Sequence, residues 1–178
     1  MRVMPIALSI LAVSVALPAL ADTFEMPARK AGQWKIEIIP ETAGAAPSMT
    51  IEVCLDAASD KAMMESGMAM AGSQCQTLSQ STNGDQTIID ATCDLGGMKT
   101  KSHTVITGDF QSGYSMQITS DMEGGPPTMP AHSVITQNAT WMGECTGGMQ
   151  PGDMLMPGGM KVNALRRWAA ARPPSAWP

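Results

Sequence analysis

The chain has 178 residues, of which 44% are hydrophobic, 15% charged and only 4% aromatic, and its formal net charge is −5. This length is typical of one domain, and the charged fraction lies well below the roughly 25% of an average globular protein. No basic run or patch accompanies the acidic balance, which argues against nucleic-acid binding, because contacts to a phosphate backbone need clustered lysine and arginine.

The first 21 residues have the three parts of a secretory signal peptide. Arg2 gives the positive start, residues 6–17 form an almost unbroken apolar stretch, and Ala19-Leu20-Ala21 is a small-x-small cleavage site. We therefore predict a signal peptide over residues 1–21 and a secreted, periplasmic mature chain that begins at Asp22. No cysteine follows the cleavage site to carry a lipid. No later stretch reaches the ~20 apolar residues of a transmembrane helix.

Four cysteines follow the predicted signal peptide: Cys54, Cys75, Cys93 and Cys145. An even count in an exported chain indicates two disulfide bonds, and four cysteines allow three pairings. None of them has the C-x-x-C spacing of a thioredoxin-like or zinc-binding motif. We therefore expect the cysteines to stabilise the fold.

Alternation of apolar and polar residues predicts an all-β fold. Trp34, Ile36 and Ile38 alternate with charged residues, which is the period of a half-buried strand. About seven strands are predicted in consecutive hairpins, over residues 34–38, 49–54, 75–81, 87–95, 98–107, 114–119 and 131–141. Short strands at this spacing indicate an antiparallel meander curved into a half-open barrel or a sandwich. One short helix is predicted over residues 59–66, ending at Gly67.

The hairpin between the third and fourth strands carries the predicted disulfide pairing. Its turn signal is Asn83-Gly84, which brings Cys75 and Cys93 close together. A strict two-residue turn leaves them out of register by one residue, and a three-residue loop or a bulge beside the turn corrects the slip. We predict Cys75–Cys93 together with Cys54–Cys145, the latter closing the sheet where its edges approach. The competing pattern joins the first two cysteines and the last two.

The composition changes after the last predicted strand. Residues 147–159 read GGMQPGDMLMPGG, with two prolines and no periodicity, as in mobile segments. We therefore predict three parts: a signal peptide over 1–21, a disulfide-stapled β domain over 22–146, and a flexible Gly/Pro/Met-rich tail over 147–178.

The order of these landmarks resembles a known family. In chain order the landmarks are Gly32-Gln33-Trp34, Cys54-Leu55 before the helix, Cys75 and Cys93 around the hairpin, Gly96-Gly97, and Gly143-Glu144-Cys145. Over roughly residues 26–146 the chain resembles the bacterial exported family known as domain of unknown function 3617. The resemblance implies a periplasmic, disulfide-bearing β module with no established activity, and it implies no catalytic residues.

Methionine is the most unusual feature of the composition, with 17 residues in the chain. Met63, Met64, Met68 and Met70 cluster near the predicted helix, and thioether sulfur is a soft ligand that favours Cu(I) or Ag(I). Methionine is also a flexible filler of apolar cores, and a chain with few Phe and Tyr residues needs such a filler. We therefore favour packing or an exposed surface for these residues, with no bound metal or cofactor.

Histidine provides little further chemistry. His103 and His132 are the only two histidines, and neither has an acidic residue two to four positions away in its own strand. Because a zinc site needs three or four ligands, we interpret both as surface residues. No Gly-x-Ser-x-Gly motif indicates a catalytic serine.

Taken together, the residues predict an exported, non-catalytic β module that binds a ligand or partner in the periplasm or cell envelope. The alternative is a Met-rich Cu(I) or Ag(I) carrier, and an envelope hydrolase comes third. The sequence predicts no nucleic-acid partner and does not name any other.

Overall fold

The computed structural model describes residues 26–42 and 46–166, so the predicted signal peptide and the predicted mature terminus at Asp22 lie outside the described residues. The described residues form one α-helix and nine strands, in the order β1 (Gly32–Pro40), β2 (Met49–Leu55), α1 (Ala57–Gln74), β3 (Cys75–Asn83), β4 (Gln86–Asp94), β5 (Lys99–Gly108), β6 (Gly113–Glu123), β7 (His132–Gly143), β8 (Asp153–Leu155) and β9 (Lys161–Asn163). None of the described helices has the length and apolarity needed to cross a membrane.

All nine strands belong to one antiparallel sheet with the order β3-β4-β5-β6-β7-β1-β2-β8-β9. The sheet is open, because β3 and β9 form its two edges and do not pair with each other. The predicted all-β class and antiparallel meander are confirmed, and β1 to β7 correspond to the seven predicted strands. The pairing of β7 with β1 places the first two strands beside the last ones.

The two faces of the sheet differ in polarity, as the alternation in the sequence requires. On one face Ile36 lies between Ala139 and Ile51 in register, and Trp34 lies beside Val53. We call this the apolar face; Trp34 and Val53 are almost completely buried there, with exposed fractions of 0% and 1%. The opposite, polar face carries the charged residues of β1 together with the histidines and most of the acidic residues of β4 to β7.

Helix α1 is much longer than the predicted helix. It runs over 18 residues, begins with a capping box between Asp56 and Ser59, and continues through Gly67 to Gln74. The helix connects β2 to β3. These two strands are separated by six inter-strand spacings of ~4.8 Å, about 29 Å in all. At 1.5 Å per residue an 18-residue helix covers about 27 Å. Because the helix has to cross the sheet, it continues through Gly67, although a glycine in a helix costs about 1 kcal/mol.

The two disulfides join the predicted cysteine pairs. Cys75 is bonded to Cys93 and Cys54 to Cys145. The register correction occurs at a different place from the one expected: Asn83 pairs with Gln86 around a two-residue turn, and the irregularity lies between Cys75 and the next paired residue of β3. The bulge is therefore beside the disulfide and not beside Gly84.

The second bridge does not close the edges of the sheet. Cys54 lies on β2 and Cys145 follows β7, and both strands flank β1 in the middle of the sheet. Gln33 pairs with Cys54 on one side and Gly143 on the other, and the Cα atoms of the two cysteines are 5.6 Å apart. The bridge thus clamps the two neighbours of β1 at its start.

The region after Cys145 differs from the predicted tail as far as Arg166. β8 pairs with β2, and β9 pairs with β8. Ala164 is buried, and the N–H of Gly152 donates to the carbonyl of Cys54. β8 and β9 have three residues each, which is too short to produce a visible period in the sequence. Turns at the glycines and prolines reverse the chain direction between them. Residues 167–178 lie outside the described residues.

Gly32, part of the motif that carries the family resemblance, has a backbone that only glycine readily adopts. Its φ is +131°, and a Cβ at this position would lie 2.2 Å from the carbonyl oxygen of Gly143. The same Cβ would lie 2.6 Å from Nε1 of Trp141. A side chain here would therefore separate the start of β1 from the end of β7.

Candidate functional site

The residues that precede β1, 26–31, are tied to the helix by an ion pair. The backbone N–H of Arg29 donates to Oδ2 of Asp60 at 3.0 Å, and its Nε donates to Oδ1 at 2.6 Å. Asp60 lies in the first turn of α1 and only 2% of it is exposed. The Arg29 guanidinium also donates to the Tyr114 hydroxyl at 3.4 Å. The charge of each partner is therefore matched within the protein.

The same segment is fixed to the sheet by Lys30. Its N–H donates to the carbonyl of Phe110 at 2.9 Å, and its carbonyl accepts a hydrogen bond of 2.8 Å from Nε1 of Trp34. The Lys30 ammonium lies 3.5 Å from the centroid of the Trp141 ring, which is the geometry of a cation–π contact. Residues 26–31 are thus bonded to α1 through Arg29 and to the sheet and its β5–β6 turn through Lys30.

The turn between β5 and β6 presents Phe110 to this segment. Its φ is +58°, the only positive value at a non-glycine residue in the described chain, and such a conformation is uncommon for a bulky residue. The carboxylate of Asp109 holds the turn by accepting N–H bonds from Gln111, Ser112 and Gly113. The N–H of Ser112 contributes most and, with the other donors, holds the pKa of this carboxyl well below its usual range.

An apolar groove opens between α1, the segment 26–31 and the apolar face of β6. The Phe110 ring stacks on Tyr114 with centroids 4.9 Å apart, and Tyr114 packs against Trp34 at 5.7 Å. The groove has a volume of about 260 Å³. Its lining, which we call the Met groove, consists of Met26, Pro27, Arg29, Met63, Met64, Phe110, Tyr114 and Met116.

A second hollow adjoins the Met groove along the helix. It has a volume of about 400 Å³ and shares Met26 and Met64 with the first. Its other lining residues are Ala28, Ala57, Asp60, Lys61 and Glu65. Lys61 and Glu65 form an exposed ion pair of 3.7 Å across one turn of the helix. Because the two hollows share these two lining residues, they adjoin each other.

The four methionines chosen from the sequence do not all meet. Met63 and Met64 line the Met groove, and Met63 also packs against the core. Met68 and Met70 are not part of that lining, and Met70 is 53% exposed. Sequence reasoning missed Met26 and Met116, which come from distant parts of the chain. The period-2 pattern that puts Met116 on the same face as Tyr114 was the available signal.

The two histidines lie exposed on the polar face, and each contacts an aspartate of a neighbouring strand. Nδ1 of His103 is 2.7 Å from Oδ1 of Asp90, and Nδ1 of His132 is 2.8 Å from Oδ1 of Asp121. The acidic partners come from adjacent strands, where spacing along one strand could not reveal them. β6 separates the two histidine-bearing strands, and the described His, Cys, Asp and Glu residues include no group of three placed to hold a metal ion.

A polar cleft lies on the same face beside the Cys75–Cys93 bridge, with a volume of about 290 Å³. Its lining residues are Gln76, Thr92, Cys93, Asp94, Lys99, Lys101, Asp121 and Glu123. Lys101 stands opposite Asp121 in register, and Lys99 stands opposite Glu123 and Asp94. Its two lysines stand opposite three acids of the neighbouring strands, so that the charges of the cleft largely offset one another. The Met groove is therefore the better candidate site.

Comparison with known proteins identifies the family. The family described as "Protein of unknown function (DUF3617)" matches residues 29–145. The chain belongs to this family. The DUF3617 region begins at Arg29, the ion-pair partner of Asp60, and ends at Cys145, the disulfide partner of Cys54. No curated protein and no solved structure matches the chain.

The DUF3617 region contains nearly all of the Met groove. Both disulfides, the ion pair and the Asp109 turn fall inside it, whereas Met26, Pro27 and the strands β8 and β9 fall outside. The clamp across β1 and most positions that line the groove thus lie within the matched region, and β8 and β9 lie outside it.

Proposed function

We propose that this protein is an exported, periplasmic binding module that holds a neutral, elongated apolar ligand, such as an alkyl chain, in the Met groove. The observation that carries the proposal is the pair of adjoining hollows that share Met26 and Met64. Methionine side chains are flexible and polarizable, so that a groove lined by them adapts to ligands of varied shape. The groove is also open to solvent along the helix, which suits a ligand with one protruding end.

The ligand is expected to be uncharged because the polar groups around the groove are already matched. Arg29 is bonded to Asp60 and to the Tyr114 hydroxyl, and Lys61 is paired with Glu65. Among the described residues, no buried side-chain nitrogen or oxygen lacks a hydrogen-bond partner. A charged headgroup or a peptide backbone would have to displace these bonds, whereas an alkyl chain needs only apolar contact.

Binding of N-phenyl-1-naphthylamine to the full exported protein tests the proposal. We expect its fluorescence to rise to a one-to-one end point and 1-dodecanol to displace it. Met64→Trp fills the groove and should reduce the affinity at least tenfold. Met70→Trp is the matched control, since it adds the same ring at an exposed position of the same helix. Equal binding to both variants, or no binding to the wild type, would refute the proposal.

Cu(I) or Ag(I) binding remains the second candidate because the Met groove gathers four thioethers. These belong to Met26, Met63, Met64 and Met116, a set that differs from the one the sequence suggested. Soft thioether ligands are the type that Cu(I) prefers.

Replacement of sulfur by carbon separates the two candidates. The triple variant Met63→Leu, Met64→Leu, Met116→Leu keeps the apolar volume and loses three thioethers. If the groove binds Cu(I), this variant should lose the ability to take Cu(I) from bathocuproine disulfonate under anaerobic conditions, while Met68→Leu, Met70→Leu, Met142→Leu keeps it. If the groove binds an alkyl chain, N-phenyl-1-naphthylamine should bind to both variants as to the wild type.

A further inference from the structure

Phe110 has a backbone conformation that a bulky side chain does not favour. Its φ is +58°, and all the other positive φ values among the described residues belong to glycines. This left-handed conformation is readily adopted by glycine and is unfavourable for other residues. The reversal between β5 and β6 by itself therefore does not require a phenylalanine, and the reason for this residue lies in the contacts of its ring.

The surrounding hydrogen bonds hold the turn in this conformation. The carboxylate of Asp109 accepts backbone N–H bonds from the three residues that follow Phe110, and the Ser112 hydroxyl donates to it at 2.8 Å. The carbonyl of Phe110 accepts the N–H of Lys30 at 2.9 Å. Unfavourable backbone conformations persist where several bonds determine them in this way, and they are concentrated at functional sites such as ligand clamps. The position of the Phe110 ring is thus set by the turn and does not depend on a ligand.

The Phe110 ring lies where the Met groove meets the core. Only 5% of the residue is exposed, and its ring stacks on Tyr114, which in turn packs against the fully buried Trp34. Phe110 and Tyr114 belong to the lining of the Met groove, whereas Met26 and Met64 line both hollows. A ligand that extends from the second hollow into the Met groove would therefore meet the two aromatic rings with its buried end.

We propose that Phe110 sets the length of the alkyl chain that the Met groove accepts, because its ring closes the groove on the side of the core. This limit concerns the same ligand and so rests on the proposed function. Each methylene that enters the groove strengthens binding about fourfold, until the chain reaches the ring. Further methylenes then stay in water and add little. The affinity of a series of chains should therefore rise with length and reach a plateau at a length that Phe110 determines.

A series of primary alcohols from 1-hexanol to 1-tetradecanol tests the proposal. Each alcohol displaces N-phenyl-1-naphthylamine from the full exported protein, and its affinity is plotted against chain length. Phe110→Gly removes the ring and places at this position the residue that adopts a φ of +58° most readily. Its plateau should lie at chains at least about two methylenes longer than for the wild type, because truncation of a buried side chain leaves a cavity. Phe110→Leu, whose side chain is smaller than phenylalanine, should shift the plateau less and in the same direction.

Met64→Ala is the matched control. It removes a side chain from the part of the lining that both hollows share, so it should weaken the binding of all the alcohols and leave the plateau at the same chain length. Thermal unfolding shows which variants are folded, and Phe110→Leu decides the test if Phe110→Gly is not folded.

The outcomes separate this proposal from the proposed function. If the wild type binds N-phenyl-1-naphthylamine but the Phe110 variants have its plateau, the length limit is overturned and the proposed function stands. A wild type whose affinity rises through 1-tetradecanol without a plateau would also overturn the limit, as would an equal shift in Met64→Ala, because the shift would then follow from any loss of volume. A wild type that binds no N-phenyl-1-naphthylamine would refute the proposed function and the length limit together.

Discussion

Nε of Arg29 lies 2.6 Å from Oδ1 of Asp60, and this contact joins the segment before β1 to the first turn of α1. Both side chains are largely buried, with exposed fractions of 14% and 3%. The pair therefore connects two walls of the Met groove that are 31 residues apart in the chain.

We expect Asp60→Ala to lower the free energy of unfolding by about 3 kcal/mol, because it leaves the buried guanidinium without its counter-charge. The double variant Arg29→Ala, Asp60→Ala should lose less than the sum of the two single variants. Urea unfolding of the four proteins measures this coupling. The control is Lys61→Ala, which removes an exposed pair and should change stability by about 0.5 kcal/mol or less. Additive effects of Arg29 and Asp60 would contradict the role of the pair.

The two disulfides should contribute unequally to stability. The Cys54–Cys145 bridge closes a loop of 91 residues and the Cys75–Cys93 bridge a loop of 18. By chain entropy, these loops correspond to about 4–5 and about 3 kcal/mol. Paired Cys→Ala substitutions should therefore lower the melting temperature more for the long loop than for the short one. The measurement is thermal unfolding followed by circular dichroism. A larger fall in melting temperature for the short loop would show that the Cys54–Cys145 clamp across β1 is not the main covalent support.

Removal of β8 and β9 should destabilise the domain. A chain that ends after Gly148 loses the pairing of β8 with β2 and the burial of Ala164. We expect its melting temperature to fall by about 5 °C or more, which corresponds to roughly 1–2 kcal/mol for a domain of this size. A chain that ends after Arg166 keeps both strands and serves as the control. Equal melting temperatures for the wild type and the chain that ends after Gly148 would instead support a domain boundary at residue 146.

Gly32→Ala should be among the most damaging single substitutions. The added Cβ would meet the carbonyl of Gly143 at 2.2 Å in a backbone with φ of +131°, and we expect a loss of about 3 kcal/mol or more. Gly67→Ala is the control of opposite sign. Gly67 lies within α1 with nothing within 4 Å of its added Cβ, so alanine should stabilise the protein by about 0.5–1 kcal/mol. Urea unfolding measures both, and a stabilising Gly32→Ala would disprove the close approach.

Acid should weaken the turn that presents Phe110. The N–H of Ser112 and the neighbouring donors lower the pKa of Asp109 in the folded protein, whereas the unfolded chain has a value near ~3.9. Between the lowered pKa of the folded state and the ordinary pKa of the unfolded chain, the unfolded state binds more protons. The free energy of unfolding therefore falls as the pH falls through this range. Asp109→Asn keeps an oxygen acceptor but cannot take up the proton, and its melting temperature should depend less on pH between about 4 and 2. An unchanged slope would show that other carboxylates, such as Asp56 and Asp153, carry the acid response.

The sequence determined the strands β1 to β7 of this protein and which cysteines are bonded to each other. Alternation fixed which residues of β1 to β7 face the core, because burial of one face of a sheet selects a period of two. The turn signal after Asn83 and the predicted export together predicted the bond between Cys75 and Cys93, which the structure contains. The pairing of Cys54 with Cys145 was also foreseen, although its place in the sheet was not.

Only the tertiary structure decided the length of α1, the extent of the domain and the composition of the candidate site. The helix continues past Gly67 because it must cross six strand spacings, a distance that no local propensity encodes. β8 and β9 exist because an edge of β2 was available to pair with them. Met26 and Met116 meet Met63 and Met64 only after β6 is placed beneath α1. Contacts between residues 90 positions apart depend on strand order, and strand order is a property of the whole folded chain.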